Sequence, residues 1–327
     1  LHSHISALPS SSSSSRSPPG TSPAQAPKLA VNDLKLLHYW MVNTSLTCAS
    51  VEQHHLWQSA LIELGFNHHF LLRGILAVTA IHKATVHTGE RIELLAQASM
   101  HMDAAVKSFS NHIRHPDPAT CCPVFALATL LVVYHMGVAE VQRPVNPVVD
   151  LCACFHLIKG VELTIGQHWD RLLTSEVAPL LRSVHRRGRE TTSTRELDDL
   201  RILVNGTTNT TPATRTAYLD AISELDIVFT NVRGNGNGNG NPQSFVGIAL
   251  SWAATLPDCL LDLLRDRDPV ALIILTHFAV LLSSAHHLWW TRNWAKWILD
   301  SARESLAPQY RGWIRWPEIE IERESGF

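Results

Sequence analysis

"HHFLLRGILAVTAIHKATVH", His68 to His87, reads as one helix that is apolar on most of its sides. Such a helix is expected inside a protein, covered by neighbours rather than lying on the surface. The segments around it have the right character to cover it. Downstream, "ERIELLAQASMHMDAAVKSFSNHI" (Glu90–Ile113) is long and amphipathic, with Leu94, Ala98, Met102, Ala105 and Phe109 at 4-4-3-4 spacing along one stripe. Upstream, "NDLKLLHYWMVNTSL" (Asn32–Leu46) opens with Asn32 or Asp33 as N-cap and then spaces Leu36, Tyr39/Trp40 and Val42 helically.

The same period continues along the chain. "HPDPATCCPVFALATLLVVYHMG" (His115–Gly137) joins a Pro-rich start to an apolar helix, and further helices are expected over Val149–Ile165, Ala213–Val232, Phe245–Leu264, Pro269–Leu288 and Trp294–Leu306. Strand alternation is almost absent and there is no βαβ rhythm. The expectation is therefore a single large all-α domain of roughly ten or more helices, spanning residues 31–327. Two segments stand apart from it by composition. Residues 1–30, with "SSSSSRSPPGTSPAQAP", are a Ser/Pro-rich stretch with little to bury, expected to be a disordered linker. Residues 233–243, "RGNGNGNGNPQ", are an Asn-Gly repeat expected as a flexible insertion between helices.

Composition narrows the function classes. Charged residues make up 17% of the 327, below the roughly 25% usual for soluble domains, which points to much buried helix surface. The net charge of −2 provides no global field for a polyanion. A local exception is "RSVHRRGRE" (Arg182–Glu190), a solvated loop or helix end by default and a nuclear-import or acidic-partner patch otherwise. The six cysteines contain no C-x-x-C pair, so neither a zinc ribbon nor a thioredoxin-type site is indicated, and a reducing compartment is the simpler reading. Three N-x-S/T triplets, at Asn43, Asn205 and Asn209, are weak signals of glycosylation. The chain starts at Leu1, as a fragment or processed product would, and its first thirty residues lack the apolar core of a signal peptide. Cys121–Ala139 and Val270–Thr291 have the composition of membrane spans but are read as buried core helices, so no membrane span is expected.

Catalytic signatures are missing: there is no G-x-S-x-G, H-E-x-x-H, P-loop or G-x-G-x-x-G. An all-α enzyme acting on a prenyl or other apolar substrate is the alternative worth testing, and its Mg²⁺-binding acids would have to come from "ELDDLRIL" (Asp198, Asp199) or "DLLRDRD" (Asp262, Asp266, Asp268). In the first motif the third acid is replaced by Arg201 or Ile202; in the second, acids ahead of an apolar helix suit its N-terminal dipole equally well. Nineteen histidines do not make a metal site, because the doublets at 54–55, 68–69 and 286–287 point to different helix faces. His112 and His115, at i,i+3, border a helix end where protonated histidine suits the dipole. No metal and no cofactor is expected in this chain.

"HHLWWTRNWAKW" (His286–Trp297) carries four of the chain's ten tryptophans. If Trp290–Leu299 is one helix, Trp290, Trp294 and Trp297 share a face opposite Arg292, Lys296 and Asp300. Trp289 does not fit that stripe, which implies a bend near Thr291 or an anchor into a second surface. The helix before it is apolar all round, and two such neighbours can build either a core or the wall of a cavity.

The order of segments carries a resemblance. "LKLLHYWMVNTSLT", "LWQSALIELGFNHHFLLRGILAVTAIHKA" and "LLAQASMHMDAAVKSF", then "DPVALIILTHFAVLLSSAHHLWWTRNWAKWIL" and "LAPQYRGWIRWPEIEI", resemble the fungal-specific transcription factor domain. They are similar in particular to the C-terminal effector domain of sterol uptake control protein-type binuclear zinc-cluster regulators, over residues 31–170 and 245–320. The resemblance implies a non-enzymatic, all-helical regulatory domain that controls transcription by RNA polymerase II. It implies a nuclear location with shuttling from the cytoplasm, contact with the transcription machinery, a homodimer, and control by a sterol or other apolar ligand. Zinc and DNA binding would require an upstream cluster, or a partner that carries one, because the six-cysteine motif is absent from these residues. A stand-alone interaction module derived from such a regulator is a third reading. His69 stands where the family has Pro before "FLL", and the Asn-Gly insertion interrupts the loosely matching middle. For a ligand, the wall candidates are Trp252, Phe278, Leu281, Trp290 and Trp294, with His277 as polar contact and Trp289 as the position to inspect first.

Overall fold

A computed structural model of the chain describes residues 30–48, 54–114, 117, 119–180, 195–208, 210–234 and 251–324. The Ser/Pro-rich segment before Ala30, residues 235–243 of the Asn-Gly insertion and the basic run at 182–190 lie outside them, as do the side chains of His112 and His115. Every regular element among the described residues is helical and none is a strand.

Helix α1 (Val31–Tyr39) runs through a π-helical turn (Trp40–Thr44) into the short α2 (Ser45–Thr47). Its N-cap is Ala30, not Asn32 or Asp33. Asp33 lies in the first turn, and its Oδ2 reaches back to accept the Ala30 N–H at 3.2 Å, so the carboxylate caps from inside the helix. A second π turn (Leu56–Ala60) leads into α3 (Leu61–Asn67), followed by α4 (His69–Val86) and α5 (Arg91–Arg114). Then come α6 (Cys121–Val141), α7 (Pro147–Ile165) and α8 (Trp169–Leu173).

The opening stretch is the centre of this half. From Phe70 to Ala84 all of α4 is buried except Arg73 and Lys83, which are partly exposed, and α1, α3, α5 and α6 pack around it. The stripe on α5 is buried throughout, from Leu94 to Phe109. One polar cluster ties three of these helices. Arg73 Nη1 donates to His101 Nδ1 (2.9 Å), and His101 Nε2 lies 3.2 Å from Asp33 Oδ1. An arginine can only donate, so Nδ1 is the acceptor and the proton sits on Nε2, facing the carboxylate. Burial, with Arg73 adding to it and Asp33 opposing, lowers the His101 pKa and keeps that neutral form.

The second half contains α9 (Arg195–Gly206), α10 (Pro212–Gly234), α11 (Asp258–Arg265), α12 (Pro269–Ser283), α13 (Trp294–Ser305) and α14 (Arg315–Glu324), the last entered through a 3₁₀ turn at Pro308–Ile314. Here α12 plays the part of α4: every residue from Val270 to Ser283 is buried, with α10, α13 and α14 against it. Asp268 caps α12 by accepting the Ala271 N–H (2.9 Å), and the same oxygen accepts the Tyr218 hydroxyl (2.7 Å). The halves meet where α7 packs on α11 and α13.

Two expected helices are shorter than the pattern suggests. Phe245–Leu264 is interrupted: residues 251–255 are helical, Pro257 takes an extended conformation (φ −60°, ψ 140°), and α11 restarts at Asp258. Proline has no N–H to continue the ladder and drives Leu256 out of the helical region. Pro269–Leu288 ends at Ser283, beyond which hydroxyls compete for backbone carbonyls, Thr291 Oγ1 donating to Ala285 O at 2.6 Å.

Helix α6 is the one described helix long and apolar enough to cross a membrane, but it is buried against α4 and α7 inside the protein. It packs tightly on α4 at Gly74, where a Cβ would collide with Leu127 Cδ1. Gly74→Val is expected to cost about 1–3 kcal/mol through overpacking, read as a lower urea midpoint with an unchanged slope.

Candidate functional site

The segment from Ser284 to Asn293 is a run of turns between α12 and α13, so Trp290 is not on one helix with Trp294; α13 begins at Trp294. Trp290 is nevertheless buried, and so are Trp289, Trp294 and Trp297. The bend expected near Thr291 is real, and the second surface that takes Trp289 is the groove between α4 and α6.

Trp289 stacks on His82 of α4, with ring centroids 4.8 Å apart and planes at 22°. Its other side lies over Gly137 of α6, where a Cβ would come within 2.5 Å of Cζ3 and 2.8 Å of Cη2. Only glycine leaves room for the indole there. Among the described residues the Trp289 N–H has no oxygen or nitrogen partner. It faces the Cys48 thiol, whose pKa burial pushes up to about 12 against the opposing pull of that N–H. His82 Nδ1 shares a 2.9 Å hydrogen bond with Thr44 Oγ1, and Tyr39 meets the imidazole edge-on at 5.8 Å. Burial, helped by the nearby Arg292 charge, lowers the His82 pKa to about 4, so the stacked ring is neutral.

The last turn of α6 holds the next residues of the segment. Glu140 accepts the Asn293 backbone N–H at 2.8 Å and its side-chain amide at 2.6 Å. Burial raises the Glu140 pKa, while both Asn293 bonds and Arg292 act against that rise. Trp294 Nε1 donates to Met136 O at 3.1 Å. Met136, Gly137 and Glu140 thus seat Trp294, Trp289 and Asn293 in one place. Trp290 Nε1, also buried, has no acceptor among the described residues.

The other candidate residues sit elsewhere in the second half. Trp252 and Phe278 are stacked at 4.7 Å, with Phe155 of α7 edge-on to both, and Trp252 Nε1 donates to Ala221 O of α10 at 2.9 Å. His277, about 100° round the helix from Phe278, donates Nδ1–H to Ile273 O at 2.8 Å and lies against Trp316 of α14. Burial lowers its pKa to about 4. Leu281 is buried on the same helix. The structure therefore forms two groups, one around Trp252 and Phe278 and one around Trp289, rather than one ring of seven.

Three of the five acids considered for a metal are engaged in the scaffold: Asp198 pairs with Arg201 (3.0 Å), Asp262 with Arg265 (3.0 Å), and Asp268 caps α12. Among the described residues no three His, Cys, Asp or Glu side chains are placed to hold a metal ion. Sequence reasoning missed His82, Thr44, Gly137, Glu140 and Asn293. One signal was there to read: Glu140 is the sole charged residue of α6, and a carboxylate in such a helix needs a specific partner.

With this geometry in place, the comparisons carry weight. The chain is similar to a Zn(2)-C6 fungal-type transcription factor of Gibberella zeae. The two are 22% identical over 311 residues, an alignment that covers 87% of this chain and 61% of that protein. No family model matches the chain.

Gly137→Ala is expected to push Trp289 off His82, seen as a red-shifted tryptophan emission and a loss of about 1–3 kcal/mol of stability. The buried histidines set a pH dependence. The unfolded chain takes up a proton near 6.5 whereas folded His82 resists it until about 4, so its stabilising contribution is full above 6.5 and is lost as pH falls from 6.5 to 4. That loss is about 3 kcal/mol at 1.36 kcal/mol per unit. His82→Gln should flatten the fall in denaturation midpoint over that window by about this amount.

Proposed function

We propose that the chain is the regulatory domain of a fungal zinc-cluster-type transcription factor, acting in the nucleus on transcription by RNA polymerase II. The observation that carries this reading is the similarity to the Gibberella zeae regulator along 87% of the chain. The all-helical body agrees with what the sequence resemblance implied. DNA contact in this reading belongs to a zinc cluster outside these residues or on a partner. Fused to an unrelated DNA-binding domain, the chain is expected to change reporter output severalfold in a fungal cell. Output equal to that of the DNA-binding domain alone would overturn the reading.

We further propose that the domain answers to a sterol or similarly apolar ligand bearing one polar group. Trp290 supports this: its buried N–H lacks an acceptor among the described residues, and a ligand hydroxyl is the kind of group that satisfies such a donor. Trp289 and Trp294 flank it in the same segment, while Trp252, His277, Phe278 and Leu281 line the second aromatic group. Energy transfer from tryptophan to the fluorescent sterol dehydroergosterol measures binding directly. Trp290→Phe keeps a ring and removes the donor, and is expected to weaken binding roughly fivefold, the worth of about 1 kcal/mol. An absence of transfer in the wild-type chain removes the sterol from the proposal.

A further inference from the structure

Cys121 and Cys122 open helix α6, and their sulfur atoms lie 3.9 Å apart. Two adjacent residues of a helix ordinarily send their side chains about 100° apart, so this closeness is a property of the local rotamers in the first turn. Cys121 is buried and Cys122 is partly exposed. The pair therefore presents one reachable thiol with a second directly behind it. Nothing in the regulatory reading uses them, and neither is in a disulfide.

We propose that Cys121 and Cys122 form a chelating dithiol that captures a trivalent arsenical. Sulfur is a soft donor suited to a soft acceptor, and trivalent arsenic favours two sulfurs held close together over two set opposite one another. An arsenoxide R–As=O reacts with both S–H groups: two As–S bonds form, the As=O bond is lost, and its oxygen leaves as water with the two thiol protons. Arsenic stays trivalent throughout, so no oxidant or reductant is needed. Cys122 attacks first from the accessible side, and Cys121 closes the ring.

The surroundings fit this order. Burial and the second thiol raise the Cys121 pKa, with Arg171 of α8 pulling the other way, so the inner sulfur waits as a thiol until the outer one has delivered the arsenic beside it. The other cysteines offer no equivalent. Cys152 and Cys154 are both buried on α7 and two positions apart, on different sides of the helix. Cys48 is buried beside Trp289, and Cys259 is exposed on α11.

Phenylarsine oxide titrated into the intact chain, followed by intact-mass measurement, tests the site. One equivalent should add the mass of the arsenical less one water, resist a monothiol and be released by a dithiol. Cys122→Ser, at the partly exposed position, should fold normally and bind about 100-fold more weakly, because the second bond loses its intramolecular advantage. A Cys152→Ser/Cys154→Ser chain should bind as the wild type does. No adduct on the wild-type chain, an adduct released by a monothiol, or full retention in Cys122→Ser would each overturn the proposal.

Discussion

A helix that is apolar on nearly every side is stable in water only when those sides are covered, and α4 and α12 are two such helices. Covering α4 takes α1, α3, α5 and α6, all from the same half of the chain, plus one piece from near its end. That piece is the turn bearing Trp289, which fills the remaining groove between α4 and α6. Covering α12 draws in α10, α13 and α14, with Phe155 of α7 reaching Trp252 and Phe278. Because α13 directly follows the tryptophan-rich turn, the segment that completes the first enclosure also begins a wall of the second.

Few carboxylates enter this interior among the described residues, and those that do are paired. Asp33, Arg73 and His101 join three helices through one carboxylate, one neutral imidazole and one guanidinium. Glu140 takes both donors of Asn293, and Asp268 serves both a helix end and a tyrosine. Each such arrangement is available in only one register, since a shifted helix would leave a charge buried without its partner. The apolar contacts supply most of the driving force for collapse, and these polar ties select one way of collapsing.

The helical fold was legible because burial in a helix leaves a 3.6-residue imprint, and the long strongly patterned segments, from Leu94–Phe109 to the wholly apolar Pro269–Ser283, show it plainly. What escaped was set by local stereochemistry or by distance along the chain. Pro257 split an expected helix, and the hydroxyls after Val280 ended another early. Helices α3 and α14 are short and their pattern is faint, whereas the Leu197, Leu200, Leu203 and Val204 stripe of α9 was there to read. At the site, the poor fit of Trp289 to its stripe did point to a second surface, but nothing near it in sequence could name His82 or Gly137. A glycine inside an apolar run such as "YHMGVAEV" looks like a defect in a helix until the indole that needs the gap is seen above it.

The ties between Glu140 and Asn293 and between Met136 and Trp294 join residues far apart along the chain. Closing loops of that length costs conformational entropy before the contacts repay it. While the chain is being made, α4 and α6 emerge well before the tryptophan that fills the gap between them. Until it arrives, nothing covers the faces of Gly137 and the His82 ring that the indole meets, beside Ile81. Exposed surface of that kind attracts chaperones and other unfinished chains. A message ending before Trp289 would leave the gap open permanently. Such a chain would also lack α13 and α14, so an incomplete copy leaves α12 uncovered as well.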